Sequence, residues 1–310
     1  MRVLMVFVDG LGVGKDDPSV NPVVAGSCPV LAGLIRRNSV AIDATLGVAG
    51  LPQSATGQTA LLTGVNAAAV MGRHIEGFPG PRLRELVAQE NLFRKLAEAG
   101  RSAAFANAYY TTDVDAIRKA RRLSVTTVAA TSAFGWLRGP DALARNEAVY
   151  QDLTRALLCA RGYTGPVIRP AEAANHLAAI AQTHDFTLFE YFQTDRAGHS
   201  GDRTAAAKVL ADLDAFLEAL LPLVRRRRMT FVLTSDHGNI EDMGSTRHTG
   251  NPIPFVAVGP GARRLNRRVR SLVDVCPAIL ELLVPATSRA RSAGQRSCVR
   301  SRGSRRPAGR

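Results

Sequence analysis

The chain has 310 residues, longer than one typical domain and enough for a large core with an accessory module. Hydrophobic residues make up 46% and charged residues 21%, which fits a globular chain and excludes a wholly disordered one. The formal net charge is +14, but residues 286–310 hold eight arginines and no acid, and without them 32 basic residues face 26 acidic ones, a net +6. Val3–Val8 is a continuous apolar run that ends in Asp9-Gly10-Leu11-Gly12. It predicts a strand buried on both faces, as in a parallel sheet, opening onto a loop. Residues 92–99 read as a helix stopped at Gly100, and 102–106 as a strand. Residues 186–192 (FTLFEYF) form another strand, followed by Thr194-Asp195. Over 204–221, Val209, Leu213, Phe216, Leu217 and Leu220 share one helical face, and Pro222 is the expected end. Residues 229–234 (MTFVLT) lead as a strand into Ser235-Asp236-His237-Gly238, and Ile253–Val258 is a further strand. A last helix is expected over 274–283, with Pro277 in its first turn.

Strands alternating with helices predict an α/β fold, a three-layer sandwich with a largely parallel central sheet. Residues 108–181 are rich in Ala and Arg, are broken at Gly135 and Gly139-Pro140, and show no buried strand. They read as a small inserted cap of helices and loops between core segments 1–107 and 182–285. Trp136 is its expected packing anchor. The segment 286–310 reads as a disordered, solvated tail, because Ser/Gly/Arg/Pro composition cannot bury a core. It has no aromatic residue for stacking on bases, so it does not point to nucleic acid. The run Arg225–Arg228, placed just past the long helix, reads as compensation of the helix dipole. No apolar run reaches the roughly 18 residues that cross a bilayer, and no cleavable signal pattern follows Val8. Cys28, Cys159, Cys276 and Cys298 are scattered without a CxxC pair, so a reducing cytoplasm is the expected location.

Asp9, Asp195 with His199, Asp236 with His237, and His248 all stand just after or just before expected core strands. Each has an ordinary use alone: a turn, a cap, or an ion pair at i, i+4. Together they are oxygen and imidazole donors that the carboxyl-end loops of an open sheet bring into one crevice. With Ser54 they number seven, which suits a pair of divalent cations better than one. Ser54 precedes a helix-like apolar run at 59–62, and a hydroxyl at a helix N-terminus beside a cation is a candidate nucleophile. Thr56 and Thr59 are rival hydroxyls that spacing alone does not eliminate. His176 and His184 read as structural or surface residues.

These segments resemble the alkaline phosphatase superfamily, in the branch that holds cofactor-independent phosphoglycerate mutase and phosphopentomutase. The resemblance rests on VDGLGVG, GLPQSATGQTALLTG, TDRAGH, TSDHGNIED and RHTGNPIPFVAVGPG. It implies that Asp195, His199 and His248 bind one metal, and that Asp9, Ser54, Asp236 and His237 bind the other, as Mn²⁺ or Zn²⁺. The family's Ser/Thr-x-x-Gly pattern matches Ser54-Ala55-Thr56-Gly57, which implies Ser54 as nucleophile. The implied activity is phosphoryl transfer on a small phosphorylated metabolite through a phosphoserine, as phosphatase or mutase. Arg73 and His74 are candidate substrate-binding residues. Two departures bear on the outcome. Gln58 stands where the mutases carry histidine, and the expected cap is far smaller than a phosphoglycerate mutase substrate domain. The Cys/Ser-x-Pro-x-Arg segment of a sulfatase is missing at Ser54. A metal-binding member without turnover and a nucleic-acid-binding protein acting through its arginine tail are the alternatives.

Overall fold

A computed structural model describes residues 1–111, 113–119 and 122–284. The arginine-rich tail and Cys298 lie outside the described residues. Six strands form one sheet: β1 (Val3–Val8), β2 (Ser39–Ile42), β3 (Ala103–Phe105), β4 (Phe186–Tyr191), β5 (Thr230–Thr234) and β6 (Ile253–Val258). Their spatial order is β2-β6-β5-β1-β4-β3. β1 pairs in parallel with β4 and β5, β3 pairs in parallel with β4, and β6 runs antiparallel to both β5 and β2.

The continuous apolar runs of β1, β4 and β5 are buried at every position because helices cover both faces of the sheet. Side chains alternate between those faces. Val3, Met5 and Phe7 pack with Leu61, Phe93 and Ile279 on one face; Leu4, Val6 and Val8 pack with Leu31, Leu213 and Phe216 on the other. Helices Ser54–Thr63, Leu92–Glu98, Val125–Phe134 and Leu272–Leu283 make the first covering layer. Pro29–Asn38, Pro170–Gln182 and Arg203–Arg226 make the second. The three-layer sandwich expected from the sequence is present.

Several local expectations are corrected. β2 was not expected: its four residues are mostly half-exposed and carry no long apolar run, and it is held as an edge strand by β6. Pro222 does not end the long helix, which runs on to Arg226. The proline sits on the exposed side, while Val224, one turn beyond Leu220, extends the buried stripe. Arg225 and Arg226 therefore belong to the last helical turn rather than lying past it. Pro277 is inside helix Leu272–Leu283, which starts early because the Ser271 N–H donates to the Asp274 carboxylate at 3.1 Å. Within 108–181, helices Val125–Phe134 and Pro170–Gln182 lie in the two main layers, and Trp136 is 52% exposed. A separate small apolar cluster joins Ala108, Leu143, Ala148, Tyr150 and Leu158.

The sheet's polarity brings the loops after β1, β4 and β5 to one edge. Because β6 runs the other way, its beginning reaches that same edge. The buried Glu241 carboxylate ties the loop after β1 to both ends of the connection from β5 to β6. It accepts from the Gly12 N–H at 2.8 Å, the Asn239 N–H at 2.7 Å, the Asn251 side chain at 3.0 Å and the Thr249 hydroxyl. All four partners are donors, so only a carboxylate satisfies them without turning a donor of its own toward one.

Two stability outcomes are expected in urea unfolding. Phe216→Ala removes a fully buried ring packed 5.7 Å from Phe189 and costs about 3–5 kcal/mol. Glu241→Ala strands several buried donors at once and costs about 3 kcal/mol or more. Glu241→Gln recovers only part of that loss.

Candidate metal centre

Asp9 follows β1 directly, and its N–H donates to the Tyr191 carbonyl at 2.9 Å, which fixes it beside the end of β4. Gly10 then turns with φ +70°, and a Cβ there would meet the Asp195 backbone at 2.9 Å. Only glycine provides both the left-handed turn and that close approach. Asp195 and His199 lie one turn apart on helix Gln193–Ser200, after β4. Asp236 and His237 follow β5, and His248 precedes β6.

Ser54 is the first residue of helix Ser54–Thr63, whose N-cap is Gln53. Its hydroxyl caps nothing and lies 2.9 Å from His237 Nε2. The rival hydroxyls are turned back into their own helix: Thr59 donates to the Ala55 carbonyl at 2.6 Å and Thr56 to the Gln53 carbonyl at 3.2 Å. Gly57 lets this helix pack closely, since a Cβ there would meet the Asp236 carbonyl oxygen at 2.9 Å.

All seven ligand candidates meet at one place. His237 Nε2 is 3.2 Å from Asp9 Oδ1 and 3.6 Å from Asp236 Oδ2. Asp195 Oδ1 is 3.4 Å from His248 Nε2 and 3.5 Å from His199 Nε2. Donor atoms of Asp9, Asp236 and His237 form one tight group, and those of Asp195, His237 and His248 form another. His237 thus stands between the two, with its ring stacked 3.7 Å from that of His248. Each imidazole turns Nδ1 toward a carbonyl: Thr246 for His199 at 2.8 Å, Pro52 for His248 at 3.0 Å, and Gly238 for His237 at 3.4 Å. A carbonyl only accepts, so each ring carries a proton on Nδ1, and Nε2 is the atom turned toward the other donors. His199 and His248 bring these nitrogens within 3.0 Å.

The electrostatics fit a cation. Asp236 is fully buried, and neither of its carboxylate oxygens accepts a hydrogen bond of good geometry; Asp9 Oδ1 is in the same position. Burial and the charge of Asp236 push the Asp9 pKa up to about 7. Burial also raises that of Asp236. Burial opposes a charged His237, but Asp236 and Asp9 outweigh it and lift the imidazole to about 10. At Asp195 burial is likewise overcome, by the His248 hydrogen bond and the charge of His237, and the pKa falls to about 2. Buried carboxylate oxygens that accept no hydrogen bond, beside convergent imidazole Nε2 atoms, are the donor set of a divalent-metal site.

A cleft of about 760 Å³ opens over this centre, with Asp9, Ser54 and Asp195 in its wall. Arg73 and His74 do not line it: Arg73 is exposed, and His74 Nε2 lies 3.2 Å from the Val48 carbonyl. The cleft wall instead carries Arg122, Arg161 and Arg196. It also carries Gln58, the departure already seen in the sequence, and Glu190, which the sequence did not single out. Gln58 donates to Asp9 Oδ2 at 3.0 Å. Glu190 accepts from the Thr126 hydroxyl at 2.6 Å, and burial pushes its pKa up to about 8. The available signal for Glu190 was a lone acid inside the apolar run FTLFEYF. Asn239, inside a motif quoted for its Asp-His pair, donates to Asp195 Oδ1 at 2.8 Å.

The chain is 33% identical over 124 residues to a 2,3-bisphosphoglycerate-independent phosphoglycerate mutase of Desulforudis audaxviator, covering 38% of this chain and 24% of that protein. With the protein of the same name from Haloquadratum walsbyi it is 30% identical over 151 residues, covering 44% and 30%. The chain thus spans well under half the length of these curated relatives. Among solved structures, the alkaline phosphatase of the Antarctic bacterium TAB5 superposes with a TM-score of 0.56 at 14% identity, covering 91% of this chain and 98% of that one. The PH0037 protein of Pyrococcus horikoshii superposes with a TM-score of 0.58 at 13% identity, covering 91% and 96%. At such identities the likeness shows a shared fold. The sequence profile of the family described as the metalloenzyme superfamily matches residues 1–285, and the chain belongs to that superfamily.

Proposed function

We propose that this protein transfers the phosphoryl group of a small phosphomonoester to water, through a phosphoserine on Ser54 and with two divalent cations. The observation that carries this reading is the Ser54 hydroxyl, uncommitted to its own helix and 2.9 Å from His237 Nε2, among buried carboxylate oxygens that lack partners. Asp195, His199 and His248 would hold one cation, and Asp9, Ser54, Asp236 and His237 the other, as Mn²⁺ or Zn²⁺. Bound there, divalent cations supply Lewis-acid neutralisation of phosphoryl charge and favour the alkoxide of a neighbouring hydroxyl.

The chain's own groups do the rest. The helix that begins at Ser54 turns its free N–H groups toward the same edge, which favours an anion at that point. Ser54 Oγ loses its proton to solvent and forms a bond to phosphorus. The bond from phosphorus to the departing oxygen breaks, and that oxygen takes up a proton. Water then attacks the phosphoserine, phosphate departs, and the Ser54 oxygen regains a proton. Gln58 holds Asp9 Oδ2 and so orients the other carboxylate oxygen, while the carbonyls behind His199 and His248 occupy Nδ1 and leave Nε2 as the atom offered to a cation.

A mutase outcome, return of the phosphoryl group to another substrate hydroxyl, is the second reading, favoured by the names of the curated relatives. Retention of a phosphoenzyme requires exclusion of water. The small apolar cluster around Leu143, Tyr150 and Leu158 offers little cover for that, which favours hydrolysis. Cys28, Cys159 and Cys276 are free thiols, in keeping with a proposed cytoplasmic setting.

Chelation is expected to abolish turnover of a generic phosphomonoester, and added Mn²⁺ or Zn²⁺ to restore it; full activity after complete metal removal would overturn the reading. Ser54→Ala is expected to lower turnover by about 10³-fold or more. Wild-type turnover in that variant would remove Ser54 from the mechanism. A screen of phosphorylated metabolites, following free phosphate and isomerised product together, separates hydrolysis from mutase activity.

A further inference from the structure

We propose that Arg122, Arg161 and Arg196 form a second anion site in the cleft, so that the substrate is a phosphomonoester with a ring-sized body and a second anionic group. The proposal rests on the phosphomonoester reading above and adds to it the class of substrate. The three guanidinium groups come from separate segments. Arg122 precedes helix Val125–Phe134, Arg161 follows helix Ala156–Cys159, and Arg196 lies between Asp195 and His199 on helix Gln193–Ser200. All three are exposed, and among the described residues none has an acidic partner or a side-chain hydrogen bond. Other arginines of the chain do find acids: Arg145 pairs with Glu147 at 2.9 Å, and Arg268 with Asp274 at 2.9 Å.

A lone exposed arginine is ordinary. Three unpaired ones around one concavity repel each other and focus positive potential into it. The acids in the same wall do not answer them. Asp9 and Asp195 belong to the metal centre, and the Glu190 carboxyl is bonded to the Thr126 hydroxyl. The phosphoryl group is already accounted for by Ser54 and the metal ligands, so the arginines are matched to a further anion. Arginine's planar fork suits a carboxylate or a phosphate equally.

The body of the ligand is read from the rest of the wall. The cleft holds about 760 Å³, a size that accommodates far more than a three-carbon phospho-acid. Phe78 and Tyr110 line it while 46% and 63% exposed, with Tyr150 and Phe192 in the same wall. Exposed aromatic faces at a cleft mouth are matched by a flat ring that stacks on them.

The test uses metal-loaded full-length protein turning over p-nitrophenyl phosphate, with three non-hydrolysable competitors. Phenylphosphonate has the ring alone, 3-phosphonopropanoate has both anions without a ring, and 4-carboxyphenylphosphonate has all three features. The last is expected to inhibit with a Ki at least about 10-fold below each of the others. In Arg122→Ala and Arg161→Ala its advantage over phenylphosphonate is expected to shrink to about 2-fold or less, whereas Arg145→Ala, remote in role and paired with Glu147, keeps the full ratio. Arg161→Glu is expected to reverse the preference toward 4-(aminomethyl)phenylphosphonate, a gain that a misfolded variant does not produce. Equal Ki values for phenylphosphonate and 4-carboxyphenylphosphonate in the wild type would overturn the second anion site. Equal values for 3-phosphonopropanoate and 4-carboxyphenylphosphonate would overturn the ring. Absence of any p-nitrophenyl phosphate turnover by metal-loaded protein would instead strike the phosphomonoester reading itself, and this one with it.

Discussion

Three carboxylates, Asp9, Asp236 and Asp195, crowd around the imidazole of His237 at the edge of the sheet, with Asp9, Asp236 and His237 themselves buried. This crowding is the constraint around which the molecule is built. Buried acids of like charge raise one another's proton affinity, and here the excess proton is drawn onto His237. A group of this kind costs stability unless positive charge enters it. The fold therefore has to hold the acids together from outside. Backbone pairing at Asp9, the glycine at position 10 and the buried carboxylate of Glu241 all serve that purpose.

Strand direction explains why donors far apart in sequence arrive at one edge. β1, β4 and β5 are parallel neighbours, so the residues that follow them emerge side by side. β6 reverses direction, and so its donor, His248, precedes the strand. β2 lies antiparallel to β6, so its carboxyl end also points to this edge, and the chain leaving it reaches Ser54. A uniformly parallel sheet would send His248 to the opposite end. The order of motif and strand along the chain is thus the trace of a sheet with one reversed member.

That relation is why the convergence of these acids and histidines was legible in the sequence. Runs such as VLMVFV and MTFVLT have no alternating pattern, which marks strands covered on both faces, and acids or histidines directly after them have a defined place in space. What escaped is governed by contacts between distant segments. The short half-exposed β2 exists because β6 pairs with it. Pro222 and Pro277 sit within helices because buried neighbours hold those turns despite the missing N–H. Residues 125–134 and 170–182 resemble the rest of the inserted stretch in composition, yet their apolar stripes match faces of the sheet layers. The arginines lining the cleft were least accessible of all. Arg73 and His74 stood near Ser54 in sequence and had only that to recommend them. Arg122, Arg161 and Arg196 lie far from Ser54 and from each other in the chain, apart from the ligand neighbour Arg196, and come together only through folding.

Gln58 shows how a single side chain separates the binding of cations from the fate of the phosphoryl group. Its amide donates to Asp9 Oδ2 and thereby leaves Oδ1 as the oxygen facing His237. An imidazole at that position would also donate to Asp9, but it would bring a second charge state and a proton to exchange near neutral pH. The amide has one protonation state, so it orients the carboxylate without adding charge to a centre where Asp9 and Asp236 already face the imidazole of His237. The position thus keeps the ligand geometry and gives up a titratable group beside Ser54. On the proposed reading, a phosphoryl group on Ser54, beside a non-titrating amide and under limited apolar cover, would have its fate decided by access of water rather than by proton relay from the protein. On the proposed phosphatase reading, this chain keeps the candidate metal ligands and Ser54 while offering little apolar cover over them.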